Sequence, residues 1–179
     1  MEENMIKIAF FDVDGTLLKI GSKEPSKNTV LTLKKLKDNG VLLCMATGRS
    51  YPSIPRFKDI EFDVWLTFNG SYVRNKNHVI FRNPIDINDK KIIIQNLKKM
   101  NRAIAISNEN MIVTNGTDDD LEQYFYFGNE NMIIAENFDE LCKTDIYQIM
   151  CSATKKEYEQ ILHGTKKAKI TAWRIKQLI

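Results

Sequence analysis

The chain has few cysteines and histidines and no long apolar run. Its three cysteines, Cys44, Cys142 and Cys151, are odd in number and show no C-x-x-C spacing. That excludes a disulfide scaffold and predicts free thiols in a reducing compartment. Cys44 and Cys151 sit in apolar runs, so burial is expected there. The two histidines, His78 and His163, stand far apart without ligand partners at metal spacing, so zinc has no support. No stretch approaches the length of a membrane span. The opening "MEENMIKIAFFD" has early acids and a short apolar run ending in Asp, unlike a signal peptide. Together these absences predict a cytoplasmic protein without a membrane partner. A dominant charge is missing too. The net charge is only +3, lysines such as Lys34, Lys35 and Lys37 lie on presumptive helix faces, and no aromatic platform is interleaved with them. Nucleic acid is therefore not an expected partner. Repeats and low-complexity segments are absent as well.

What is present is a globular composition. The chain has 179 residues, 43% hydrophobic and 27% charged, enough for one ordinary domain or two small ones with a real core. Ile6 to Phe11 is a short, nearly continuous apolar run, as a buried parallel strand requires. "DVDGT" then turns. Pro25 and Ser26 open a helix that Ser26 or Asn28 can cap, with Val30, Leu33 and Leu36 at helical spacing and Gly40 closing it. "VLLCMA" (41–46) is a second strand with "TGRS" at its carboxyl end. "SYPSIPRF" predicts a short, proline-interrupted helix, and "FDVWLTF" a third strand ended by "NG". The order strand, helix, strand, helix, strand is a βαβαβ unit with right-handed crossovers.

The character changes after Arg82. "NPIDINDKKIIIQNLKKM" predicts a helix with Ile92, Ile93, Leu97 and Met100 as its apolar stripe, and "RAIAISNENMIVTN" a hairpin. "GTDDDLEQYFYFG" predicts a helix capped by Thr117, its early acids offsetting the helix dipole. "DIYQIMCSA" reads as a strand. Thr154 and Glu157 form a capping box for the next helix, and "AKITAW" reads as a last strand. The expected fold class is thus α/β: a Rossmann-like parallel-sheet core with only its first three strands (1–82), an inserted α+β cap domain (83–172), and a truncated return segment (173–179).

In such sheets ligands bind beyond the carboxyl ends of the strands. Three polar clusters fall there: Asp12 and Asp14, Thr47 to Ser50, and Asn69 with Gly70. A carboxylate at a strand end can attack phosphorus. A phosphate dianion repels a carboxylate, so the chemistry calls for Mg²⁺ between them. A second carboxylate two residues on can protonate the leaving oxygen and later take a proton from water. Thr16 can hydrogen-bond the first carboxylate and fix its rotamer. Thr47 offers a hydroxyl and an amide to phosphate oxygens, and Gly48 admits close backbone approach. The competing reading is plain turn chemistry, since D-x-D-G also suits an Asx-turn that needs no catalysis.

"DVDGT" after one apolar strand and "ATGRS" after the next resemble the haloacid dehalogenase superfamily of phosphatases. "TFNGSYV" and the later α+β insert resemble its Cof-type subgroup, which carries a large C2-type α/β cap after the third core strand. The resemblance implies a Mg²⁺-dependent phosphoric monoester hydrolase acting on a small phosphorylated metabolite through an aspartyl-phosphate. By it Asp12 would be the nucleophile and a metal ligand. Asp14 would be the general acid/base and would ligate through its main-chain carbonyl. Thr47 would bind phosphate, followed in the same motif by Gly48 and Arg49, and Asn69 would lie where the cap faces the site. The family also supplies a lysine and a further acidic motif from two later core strands, and this chain stops at "AKITAWRIKQLI" without them. The expectation is low or absent turnover. The alternative is a catalytically inactive truncated relative that binds a ligand or partner, or nothing. Lacking the later strands, Ile6 to Phe11 is expected to be an open apolar edge, covered in a homodimer or swapped assembly, or else leaving a protein of modest stability.

Overall fold

A computed structural model describes residues 6–19, 21–128 and 130–172. The first part builds a sheet of five strands in the order β1-β2-β3-β4-β5. β1 (Ile8–Phe11), β2 (Leu42–Ala46) and β3 (Val64–Thr67) are parallel, with Phe10 opposite Cys44 and Met45 opposite Trp65. Helix α1 (Lys27–Asp38) joins the first two. Its cap is Ser26, whose hydroxyl accepts the Thr29 amide at 3.1 Å. Gly40 ends it at φ +77°, a conformation open to glycine without strain. Leu33 of α1, Leu43 and Met45 of β2, and Ile54, Ile60 and Phe62 from the following loop bury one face of the sheet.

Two departures from expectation lie here. "SYPSIPRF" forms turns and no helix: Pro52 and Pro55 each remove an amide donor and disfavour helical backbone at the residue before. Beyond β3 the chain adds an antiparallel hairpin, β4 (Tyr72–Asn75) and β5 (Val79–Arg82), that widens the sheet. Val79, Ile80 and Phe81 carried that signal, with a polar "NKNH" turn before them.

The second part is a three-stranded antiparallel sheet in the order β7-β6-β8, made of β6 (Ala105–Ser107), β7 (Ile112–Thr114) and β8 (Gln148–Met150). Strand alternation sends its side chains to two cores. Ile104 and Ile106 meet α2 (Ile87–Lys99) and α5 (Tyr158–Leu162) through Ile93, Ile94, Leu97 and Ile161, with α4 (Phe138–Leu141) supplying Phe138. Ala105 faces the other way and meets Leu121 and Phe125 of α3 (Asp119–Gly128). The cap of α3 is Asp118, not Thr117: its carboxylate accepts the Leu121 amide at 2.9 Å, while the Thr117 hydroxyl turns to Glu122. The capping box of Thr154 and Glu157 forms as expected.

"AKITAW" forms no strand within its described residues. The buried Asp89 carboxylate takes the amides of Lys166, Lys167 and Ala168 at 2.9, 2.7 and 2.9 Å, so these donors serve a side chain and not a ladder. Residues 173–179, the expected return segment, lie outside the described residues. The two sheets meet through aromatic rings. Tyr147 stacks on Phe68 at 5.1 Å and meets Tyr72 edge-on at 5.5 Å, and the Ile85 amide donates to the Ile146 carbonyl at 2.8 Å. Among the described residues no helix is long and apolar enough to cross a membrane.

Candidate active site

Asp12 follows directly on β1 and is exposed. The turn after it is closed by backbone bonds, Leu18 amide to Val13 carbonyl at 2.9 Å and Gly15 amide to Leu18 carbonyl at 2.8 Å, with Gly15 at φ +83°. Val13, Leu17 and Leu18 sink into the core. That alternation leaves Asp12, Asp14 and Thr16 on the solvent side, so the turn is anchored by its apolar residues and presents its carboxylates. The Thr16 hydroxyl is exposed and, among the described residues, makes no hydrogen bond to Asp12. The expected rotamer restraint is therefore missing.

Asp14 is joined to the next strand end. Arg49 grips it with a fork, Nε to one carboxylate oxygen at 2.9 Å and Nη2 to the other at 2.7 Å. This bidentate geometry is the strong form of an ion pair, and Asp14 pushes the Arg49 pKa up. Arg49 Nη1 donates to the Ser53 carbonyl at 3.3 Å, which fixes the plane of the fork. Thr47 is buried. Its amide donates to the Leu66 carbonyl at 2.9 Å, so the amide is not available to a phosphate. The Thr47 hydroxyl accepts the Arg49 amide at 3.1 Å and keeps its own proton for a ligand.

The third strand end closes on the second. The Phe68 amide donates to the Arg49 carbonyl at 2.9 Å and the Asn69 amide to the Thr47 carbonyl at 3.1 Å. This contact holds Phe68 and Asn69 at φ +51° and +54°. Asn tolerates that region; Phe pays a steric cost there, and its ring stacks on Tyr147. A Cβ at Gly48 would lie 3.0 Å from Asn69 Oδ1, which is why glycine stands there. Asp14, Thr47, Gly48, Arg49 and Asn69 thus form one connected group, with Asp12 beside it on the same turn.

A sequence model of the haloacid dehalogenase-like hydrolases matches residues 9–177. The chain belongs to that family. Among curated relatives, the 5-amino-6-(5-phospho-D-ribitylamino)uracil phosphatase YitU of Bacillus subtilis is 30% identical over 135 residues, which is 70% of this chain and 44% of the relative. The putative phosphatase YkrA of the same organism is 31% identical over 83 residues, 46% of this chain and 32% of the relative. The chain therefore spans less than half the length of these relatives. Among solved structures, one from a study of a trigonal-bipyramidal intermediate in a phosphoryl-transfer superfamily superimposes with a TM-score of 0.80 at 22% identity, covering 95% of this chain and 67% of the other. The HAD subclass IIB sugar phosphatase BT4131 superimposes at 0.72 and 24% identity, covering 87% and 62%. These structural likenesses share the fold.

In this haloacid dehalogenase-like hydrolase the second part of the chain also reaches the site. Glu130, just past α3, is half-buried and within electrostatic reach of Ser53 and Arg49. Burial raises its pKa, while Ser53 and Arg49 hold it down. Burial also pushes the Tyr124 phenol up to about 12, Glu130 and Asp14 adding to the rise and Arg49 opposing it. Neither residue carried a sequence signal, because their approach to Asp14 depends on how α3 packs. The acids of "GTDDDLE" serve the start of α3, as predicted. Lys166 and Lys167 lie against α2 through Asp89 and Asp86. Asp12 offers a hard carboxylate oxygen of the kind Mg²⁺ takes, and the Asp14 carbonyl, which accepts no hydrogen bond among the described residues, a second oxygen. Mg²⁺ needs only one or two carboxylates beside waters and phosphate oxygens, so these residues fit it. Among the described residues no group of three acids, histidines or cysteines gathers.

Proposed function

We propose that this chain carries the nucleophile side of a Mg²⁺-dependent phosphatase site acting on a small phosphorylated metabolite. The observation that carries the reading is the pairing of Asp12, whose exposed carboxylate has no hydrogen-bond partner among the described residues, with a second carboxylate gripped by Arg49 beside the Thr47 hydroxyl. Asp12 attacks phosphorus, the bond from phosphorus to the leaving oxygen breaks, and Asp14 gives that oxygen a proton. In the second half Asp14 takes a proton from water, whose oxygen attacks phosphorus and frees Asp12. Both Asp14 oxygens accept from Arg49 at rest, so acid catalysis requires the guanidinium to trade one of them for a phosphoryl oxygen. Thr47 donates its hydroxyl proton to the phosphate, and Gly48 keeps the Asn69 amide side chain close by. Asp12 and the Asp14 carbonyl would hold Mg²⁺, which when bound supplies the positive charge that lets a carboxylate approach a phosphate dianion.

The test is hydrolysis of p-nitrophenyl phosphate with Mg²⁺ by this chain against Asp12→Asn. Turnover is expected to be low, since no third acidic ligand joins the pair among the described residues, and to vanish in the variant. Turnover that survives Asp12→Asn would exclude Asp12 as nucleophile. Binding of phosphate without turnover would favour the second reading, an inactive relative that retains a ligand site. The half-buried or buried free thiols Cys44, Cys142 and Cys151 suit a cytoplasmic setting, and the open face of β1 supports a homodimer.

A further inference from the structure

Three successive residues after β3 take left-handed backbone: Phe68 at φ +51°, Asn69 at φ +54° and Gly70 at φ +87°. Glycine adopts that region freely and asparagine tolerates it, but a phenylalanine side chain is crowded there. Such a conformation persists only where its surroundings over-determine it. On the core side two backbone bonds do so, from the Phe68 amide to the Arg49 carbonyl at 2.9 Å and from the Asn69 amide to the Thr47 carbonyl at 3.1 Å. On the cap side Tyr147 supplies the restraint. Its ring stacks on Phe68 with centroids 5.1 Å apart and planes at 24°, and it meets Tyr72 of β4 at 5.5 Å. All three rings are buried. Tyr147 is itself held by the cap: its amide donates to the Ser107 carbonyl of β6 at 3.0 Å, and the preceding Ile146 is fully buried. The Tyr147 hydroxyl has no hydrogen-bond partner among the described residues, so the ring and not the phenol makes the contact.

Resting on the phosphatase reading above, we infer that Tyr147 is a positioning residue of this site: acting through Phe68, its ring keeps the third strand end closed on the second and so sets the grip on phosphate. Phe68 cannot leave the left-handed region without giving up its stack on Tyr147. While it stays, the Thr47 and Arg49 carbonyls are both engaged, and Asn69 Oδ1 sits 3.0 Å from where a Gly48 Cβ would stand. The backbone on either side of Gly48 is thereby fixed, and with it the Thr47 hydroxyl that is offered to phosphate. With the ring gone, Phe68 relaxes toward ordinary backbone, the two amide bonds loosen, and the Thr47 hydroxyl loses its fixed direction. Cap placement and phosphate affinity are thus coupled. The coupling is reciprocal, so bound phosphate steadies the contact between Phe68 and Tyr147.

The experiment pairs amide hydrogen exchange, read residue by residue by NMR, with calorimetric titration of inorganic phosphate in the presence of Mg²⁺. It uses the full chain and its Tyr147→Leu and Tyr147→Phe variants. In Tyr147→Leu the Phe68 and Asn69 amides are expected to exchange about tenfold or more faster, while amides paired between β1 and β2 keep their rates. Phosphate affinity should fall about fivefold or more in the same variant. Tyr147→Phe keeps the ring and loses no hydrogen bond, so it restores both. In the wild type, saturating phosphate should slow exchange at Phe68, Asn69 and Tyr147 and leave the β6–β7 ladder unchanged, which tests the coupling even where Tyr147→Leu does not fold. Unchanged exchange at Phe68 and Asn69 in Tyr147→Leu would overturn the inference. So would faster exchange with phosphate affinity intact, a Tyr147→Phe variant as impaired as Tyr147→Leu, or phosphate that binds the wild type without slowing these amides. All four outcomes leave the phosphatase reading standing. A wild-type chain that does not bind phosphate would remove that reading, and the inference with it.

Discussion

Arg49 makes three directed hydrogen bonds, two to Asp14 and one to the Ser53 carbonyl. Only a planar guanidinium can make them together. Arg49→Lys keeps the charge and loses the fork, so Asp14 is freed to sample other rotamers. If Asp14 is the general acid, kcat should fall about tenfold or more while KM for a neutral ester changes less. Steady-state kinetics with p-nitrophenyl phosphate checks this; equal kcat in wild type and variant would show that the fork does not position Asp14. The strand ends were legible in the sequence, since parallel strands bring their carboxyl ends to one side. The partner of Arg49 was not, because its long arm could equally reach a phosphate or Asp12. The Thr47 amide is not free for a ligand for a related reason: it is claimed by the neighbouring strand, at the Leu66 carbonyl.

At the scale of elements, local signals were followed where the bonding was local. Ser26 caps α1, and Thr154 and Glu157 close their box within four residues. The hairpin β4–β5 forms from a turn and an apolar run that are both present in the sequence, and "AKITAW" forms no strand within its described residues, its Ala168 amide and those of the two lysines before it going to Asp89, far away in sequence. Glu157 offers a test of such local bonding. The Thr154 amide, then Arg102, then the Thr154 hydroxyl hold its pKa down, at about 2 against an ordinary 4.5. A depressed native pKa means that the ionised group stabilises the fold above the unfolded value. That contribution is fully present above about pH 4.5 and is lost as pH falls toward about 2. Glu157→Gln should therefore melt a few degrees below wild type at pH 7, with the gap closing between these two pH values. Thermal melts across that window read it, and a gap that stays constant down to pH 2 would show that the carboxylate charge is not what holds the box.

At the scale of the whole molecule, the sheet has one covered face and one open face. Phe11, Leu43 and Met45 pack toward α1 and the loop behind it. On the opposite side Ile8, Phe10 and Leu42 are 42%, 57% and 49% exposed, with Ile6 at 72% beside them. β1 also ends the sheet, so its outer backbone groups have no strand partner among the described residues. Parallel strands are ordinarily buried on both faces, and an apolar edge of this kind pairs readily. The run from Ile6 to Phe11 is apolar at every position but Lys7, the pattern of a strand covered on both faces. The homodimer proposed for this face would bury Ile6, Ile8 and Phe10 from each copy, each such side chain contributing about 1.5–3 kcal/mol when fully removed from water. Sedimentation velocity at micromolar concentration should show a dimer, and Phe10→Lys should shift it to monomer by placing a charge in the apolar contact. Phe10 contributes little to its own fold because it is already more than half exposed. The variant should thus keep the wild-type melting temperature measured at high dilution, which separates loss of association from loss of folding. A wild-type chain that sediments as a monomer at every concentration would mean that this face is not closed by a second copy.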